Sequence, residues 1–129
     1  MKGHGPSCEA GAHRQRQRHA VSLATLEGAA RLLRALADAP RLQILDMLTE
    51  GELCVTEIVA AAKEKFSTIS QRLRTLRIEG IVTRRREGTH IFYALADRHV
   101  ADLILNAREH AQELADRPLR PARADDAAT

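Results

Sequence analysis

The sequence predicts a mainly α-helical domain with one β-hairpin near its carboxyl end. Its 129 residues are 44% hydrophobic but only 2% aromatic, so the core must consist of Leu, Ile, Val and Ala, which suits helices packed on helices. Apolar residues recur at helical spacing from Leu23 to Leu114, and the period becomes strand-like only between Ile81 and Leu95. A chain of this length is expected to form a single domain.

Four helices are expected before the hairpin. The first has about four turns, and the second starts at Asp38, with Pro40 in its first turn. Lysine is a poor N-cap, so Ser67 rather than Lys65 is expected to cap the fourth helix, which Gly80 then ends. The expected ranges are residues 23–37, 38–50, 56–62 and 67–79.

A hairpin and one long helix follow. Glu87-Gly88 lies between two β-prone runs, which predicts the hairpin turn, and an apolar seam runs along residues 97–115. Four helices, a hairpin and a helix make a winged helix-turn-helix, with N- and C-terminal helices available for dimerisation. Residues 1–20 are expected to be a flexible arm and 116–129 a disordered tail, leaving 21–115 as the DNA-binding and dimerisation domain.

Charge is segregated along the chain. The formal net charge is +3, yet Lys63–Arg86 holds eight basic residues against two acids, while Glu87–Asp116 holds two arginines against six acids. A basic block that covers the fourth helix and the hairpin predicts contact with double-stranded DNA. The second helix of such a motif places small polar side chains and arginines in the major groove. The candidate DNA-binding residues are Ser67, Thr68, Ser70, Gln71, Arg72, Arg74, Arg84, Arg85 and Arg86.

The last helix carries two pairs of potential metal ligands, Asp97-x-His99 and His110-x-x-Glu113. Imidazole nitrogens and carboxylate oxygens bind zinc. His99 and His110 lie on nearly the same helical face but about 16 Å apart along the axis, too far for one ion. Antiparallel pairing of two such helices would join the first pair of one chain to the second pair of the other, twice. Each site would then be closed by four ligands, as in structural or regulatory zinc. Individually, Asp97 is also an ordinary N-cap.

Other functional classes have little support in the sequence. Cys8 and Cys54 are the only cysteines, and there is no secretion signal or membrane-length apolar run, so the cytoplasm is the expected compartment. No glycine-rich phosphate loop or nucleophile–base pair is evident, so the protein is not expected to be an enzyme. The remaining enzymatic alternative is a small metallohydrolase that uses the same histidines and carboxylates.

Residues 24–114 resemble the ArsR/SmtB family of bacterial metal-sensing repressors. The resemblance rests on Glu52-Leu-Cys-Val-Thr-Glu-Ile58, on Ser70-Gln-Arg-Leu-Arg-Thr-Leu76 and on the ligand pattern of the last helix. It implies a homodimer that binds operator DNA and is released by Zn(II), with Co(II) as a second metal, through the last-helix site. It also implies two zinc ions per dimer, no membrane and no small organic substrate.

The cysteine region departs from the soft-metal members of that family, because Thr56 stands where they commonly have a second cysteine. A mixed second site remains open, in which Cys54 and Glu57 join Cys8 and His13 from the arm. Two further alternatives remain. In the first, DNA binding is switched by thiol chemistry, or by a soft metal or metalloid, at Cys54 and Cys8. In the second, the metal bound by the last helix only stabilises the dimer and does not affect DNA binding.

Overall fold

The computed structural model describes residues 20–118 and has the element order of a winged helix-turn-helix. The predicted fold class is therefore confirmed. Most of the predicted arm and tail lies outside the described residues. The elements are α1 (Leu23–Leu36), α2 (Ala39–Leu48), β1 (Leu53–Cys54), α3 (Val55–Ala62), α4 (Phe66–Ile78), β2 (Val82–Glu87), β3 (His90–Leu95) and α5 (Arg98–Asp116).

Side-chain caps begin three of the helices. Ser22 caps α1, Asp38 caps α2 by accepting the Arg41 N–H at 3.0 Å, and Asp97 caps α5. The prediction that Ser67 caps α4 was wrong, since this helix already begins at Phe66 and its N-cap position carries no side-chain hydrogen bond. Lys63 ends α3 in the left-handed region at φ 55°, so a short turn between α3 and α4 sets the helix start in place of capping preference.

The hairpin forms part of a three-stranded antiparallel sheet in the order β1-β3-β2. Glu87 pairs with His90, so the loop is Gly88-Thr89, one residue later than the predicted turn. Gly88 has φ 62°, which a glycine adopts without strain at the first position of a tight hairpin loop. Strand β1 was not predicted, because two residues are too few to show an alternating pattern.

The core is aliphatic, as the composition predicts. It joins α2, α3 and α4 to the sheet and to the first half of α5, and Tyr93 is the one buried aromatic residue among residues 20–118. None of the helices in this range is long and apolar enough to cross a lipid bilayer. The buried cluster consists of Ala35, Leu36, Ile44, Leu45, Leu48, Ile58, Ile69, Leu73, Leu76, Ile81, Val82, Tyr93, Val100 and Ile104.

The first and last helices are covered on one side only. In α1, burial is confined to Ala35 and Leu36, and in α5 to Val100 and Ile104. Both helices nevertheless carry further large apolar side chains that are exposed in the single chain, namely Leu23, Leu26, Leu33, Leu103 and Leu114. Exposed apolar surface on two helices of one chain is typical of an interface between two copies.

Candidate nucleic-acid interface and metal ligands

Helix α4 turns a polar face outward. Ile69, Leu73 and Leu76 are fully buried, so the residues between them face away from the core. Arg74 is exposed and forms no side-chain hydrogen bond or ion pair within the described part of the chain, whereas Arg72 lies 3.8 Å from Glu64. A shallow concavity of about 490 Å³ is lined by Phe66, Ser67, Ser70, Gln71 and Arg74.

The three arginines of β2 point to opposite faces of the hairpin, because side chains alternate along a strand. Arg84 pairs with Tyr93 and Arg86 with Ile91, whereas Arg85 pairs with Phe92 on the other face. Both Arg84 and Arg86 are exposed. The run of three therefore divides into two arginines on one face and one on the other.

Arg85 is held by a cluster of contacts that we call the wing clamp: Arg85, Glu52, Glu87 and Phe92. Its guanidinium donates to both Glu52 carboxylate oxygens, at 2.6 and 2.8 Å, and to Glu87 Oε2 at 2.7 Å. The same group stacks over the Phe92 ring, 4.5 Å from the centroid. The hydrogen bonds from Arg85 to Glu52 hold the pKa of the Glu52 carboxyl below its usual value. The clamp ties the hairpin to the segment just before β1.

Because the wing clamp holds Arg85, we expect Arg85 and Arg84 to contribute to DNA affinity in different ways. We expect Arg85→Ala to weaken DNA binding by displacing the hairpin, without changing the slope of log K against log salt. Arg84→Ala should reduce that slope by about 1, as expected for a lost phosphate contact. Fluorescence anisotropy at several salt concentrations measures both.

A charge exchange separates the two roles further. The double variant Glu52→Arg, Arg85→Glu restores an ion pair with reversed polarity, so it should recover affinity lost in Arg85→Glu alone. Equal loss of salt slope in Arg85→Ala and Arg84→Ala would contradict the structural role of Arg85.

The four predicted metal ligands form two pairs on α5. His99 Nδ1 lies 3.5 Å from Asp97 Oδ1, and His110 Nδ1 lies 3.9 Å from Glu113 Oε2. All four side chains are more than half exposed, His99 at 96%. Asp97 Oδ1 also accepts the Val100 N–H at 3.1 Å, and this hydrogen bond is the main cause of the lowered pKa of Asp97. Within residues 20–118 no group of three or more potential ligands converges.

Each pair has a separation suited to one tetrahedral ion. Two ligands about 2.1 Å from a tetrahedral zinc are about 3.4 Å apart. The Asp97–His99 pair, at 3.5 Å, is close to this distance, and the His110–Glu113 pair, at 3.9 Å, needs to close by about 0.5 Å. The donor set of one nitrogen and one oxygen per pair also fits zinc. A zinc ion held by either pair would need two further ligands, and we call each pair a metal half-site.

Cys54 has a polar environment that the sequence did not reveal. The Thr56 hydroxyl donates to its sulfur at 3.4 Å, and His90 Nδ1 lies 3.8 Å away. The Thr56 hydrogen bonds, followed by the contact with His90, lower the pKa of the buried thiol. The contact with His90 depends on the pairing of β1 with β3, which no sequence signal predicted. Glu57 lies on α3, and Cys8 and His13 lie outside the described residues.

The fold and the outward face of α4 define a winged helix-turn-helix DNA-binding protein. Residues 38–84 match the model of the bacterial regulatory protein arsR family. The "Transcriptional repressor SmtB homolog" of Synechocystis is 40% identical over 78% of this chain and 76% of its own length. A Staphylococcus aureus "Cadmium resistance transcriptional regulatory protein CadC homolog" is 38% identical over 67% of this chain and 72% of its own.

A solved structure agrees with these relatives. The homodimeric winged helix-turn-helix DNA-binding domain of Mb0332 from Mycobacterium bovis superimposes with a TM-score of 0.69 at 37% identity, over 84% of this chain and 98% of that one. The chain belongs to the ArsR family of bacterial transcriptional regulators. The relatives are transcriptional regulators, in agreement with the prediction that this protein is not an enzyme.

Proposed function

We propose that the protein is a homodimeric repressor that binds operator DNA and is released from it by Zn(II). The observation that carries this proposal is the pair of half-sites on α5, each with one imidazole and one carboxylate at a separation suited to a tetrahedral ion. Two chains would complete two such sites. The cadmium-resistance relative supports a metal as the effector, and the donor set favours zinc, with cobalt as the next candidate.

The exposed apolar faces of α1 and α5 support dimerisation through these two helices. Leu26 and Leu33 on α1 are at least half exposed, as is Leu114 on α5. A groove of about 330 Å³ between α2 and α5 extends this surface and is lined partly by Ala107 and Ala111. Burial of these side chains in a dimer would contribute stability that the small core of one chain lacks. The homodimeric relative supports this arrangement.

Antiparallel α5 helices would place each Asp97–His99 pair opposite the partner's His110–Glu113 pair. Bound metal would supply the binding energy that fixes one arrangement of the two α5 helices. Arg108 of α5 donates to Asp46 of α2 at 2.6 Å, so a change in the position of α5 is passed to α2 and the helix-turn-helix. The two α4 helices then no longer fit successive major grooves, and DNA affinity falls.

Zinc titration into a protein–DNA complex tests this proposal. The probe is a fluorescent duplex of the protein's own promoter, and anisotropy reports release. We expect release to be complete near one zinc per chain and to be reversed by EDTA. By thermodynamic linkage, the duplex must weaken zinc binding by the same factor. Equal zinc affinity with and without the duplex would contradict the proposal.

The Cys54–His90 contact favours a second candidate function, in which thiol chemistry or a soft metal or metalloid at Cys54 switches DNA binding. Thr56 and His90 favour the thiolate, which is the reactive form and the metal ligand. His90 is a further ligand candidate beside Cys54, Glu57, Cys8 and His13.

Cys54→Ser separates the two candidates, because serine keeps the size of the side chain but is a poor ligand for soft metals. If the α5 site is the switch, we expect this variant to bind the duplex and to be released by zinc within about twofold of wild type. A loss of release upon Cys54→Ser, with the α5 residues intact, would favour the thiol switch.

A further inference from the structure

Phe66 is an exposed aromatic residue at the start of the DNA-reading helix. It is the first residue of α4 and is 57% exposed, whereas the apolar residues Ile69, Leu73 and Leu76 of the same helix are fully buried. It lines the shallow concavity together with Ser67, Ser70, Gln71 and Arg74, the outward polar residues of the helix. The core therefore does not account for this side chain.

The surroundings of Phe66 favour DNA over a protein surface as its partner. Lys63 and Lys65, both exposed, precede it, and the intervening Glu64 lies 3.8 Å from Arg72, so this end of α4 keeps a net positive charge that is complementary to a phosphate backbone. Helix α1, which belongs to the proposed dimer interface, contacts the opposite end of α4, where Arg31 donates to Glu79 at 2.9 and 3.1 Å. With 13 residues, α4 is about 20 Å long, which separates Phe66 from that contact.

We propose that Phe66 reads the 5-methyl group of a thymine in each operator half-site. The first residues of a recognition helix contact base edges in the major groove. The thymine methyl is the apolar feature of that groove, and phenylalanine is one of the side chains that contact it. The neighbouring Ser70, Gln71 and Arg74 can hydrogen-bond to base edges, but a phenyl ring cannot, so Phe66 distinguishes bases by this methyl group. The inference rests on the DNA-binding part of the proposed function and is independent of the metal response.

Replacing thymine with deoxyuridine tests the inference, because this change removes only the methyl group. The duplex is obtained by in vitro selection with the wild-type protein, and each thymine of a half-site is replaced singly. We expect one replacement to weaken wild-type binding by about fourfold, the effect of one buried methyl group. Phe66→Ala should bind the thymine and uracil duplexes equally. Ile78→Ala is the control: Ile78 is 65% exposed at the opposite end of α4, so this variant should keep the wild-type preference.

The outcomes separate this inference from the proposed function. A wild type that selects no duplex would overturn both. A wild type that binds tightly but shows no effect of any replacement, or a Phe66→Ala variant that keeps the full preference, would overturn the role of Phe66 alone. Because Phe66 is exposed, we expect Phe66→Ala to fold, and circular dichroism checks this.

Discussion

The double variant His99→Ala, His110→Ala should remain bound to operator DNA at zinc concentrations that release the wild type. Each dimeric site would lose both imidazoles and keep only two carboxylates, which bind zinc weakly without nitrogen ligands. A coupling free energy of about 3 kcal/mol between zinc binding and DNA binding corresponds to more than a hundredfold change in DNA affinity. We expect the double variant to lose this zinc-dependent change completely. Anisotropy of a labelled duplex during zinc titration measures this.

In the absence of zinc, the double variant should bind DNA with the same affinity as the wild type. His99 and His110 are exposed and contribute nothing to the core, so their removal leaves the fold and α4 intact. If the double variant is released by zinc as readily as the wild type, the α5 pairs are not the sensing site. Attention would then move to Cys54.

Asp97→Asn refines the same experiment. Asparagine caps helices as well as aspartate does, so the hydrogen bond to the Val100 N–H is kept while the anionic ligand is lost. We therefore expect an unchanged thermal midpoint and weaker zinc binding. Asp97→Ala should reduce both, since it also removes the cap.

The second large effect is expected from Leu73→Ala on the buried side of α4. Leu73 is fully buried, and its truncation should lower the free energy of unfolding by about 2–5 kcal/mol through lost burial and a residual cavity. Alanine has the higher helix propensity, so the helix itself is not weakened. Urea unfolding at one fixed protein concentration measures the change, because a dimer's stability depends on concentration.

Ile78→Ala is a matched control on the same helix. Ile78 is largely exposed, so we expect its truncation to change stability by no more than about 0.5 kcal/mol. A similar loss in both variants would mean that the buried face of α4 has been assigned incorrectly.

Periodicity was sufficient to predict the helices and the hairpin, because each has a repeating apolar face that local sequence displays. The α4 core positions Ile69, Leu73 and Leu76 follow directly from such a repeat. The start of α4 was misplaced because the left-handed turn at Lys63 depends on how α3 and α4 pack. Strand β1 was missed because its two residues are defined only by their pairing with β3.

The candidate sites likewise differ in whether local sequence predicts the proximity of their residues. His110 and Glu113 are three residues apart on α5, so helix geometry alone predicts their proximity. Asp97 is instead the extended N-cap two residues before His99, so its approach to His99 depends on the capping conformation. The wing clamp joins Glu52 to Arg85, and the thiol environment joins Cys54 to His90, each across more than 30 residues. Only the order of strands in the sheet brings these side chains together, and no local pattern encodes that order.

The short strand β1 has a mechanical consequence. It pairs the start of α3 with β3, and the wing clamp adds a side-chain connection between the same two regions. The helix-turn-helix and the hairpin are therefore expected to move together as one rigid body. If metal binding at α5 controls DNA binding as proposed, we expect each helix-turn-helix to move together with its hairpin, so that the two halves of the dimer change position relative to each other.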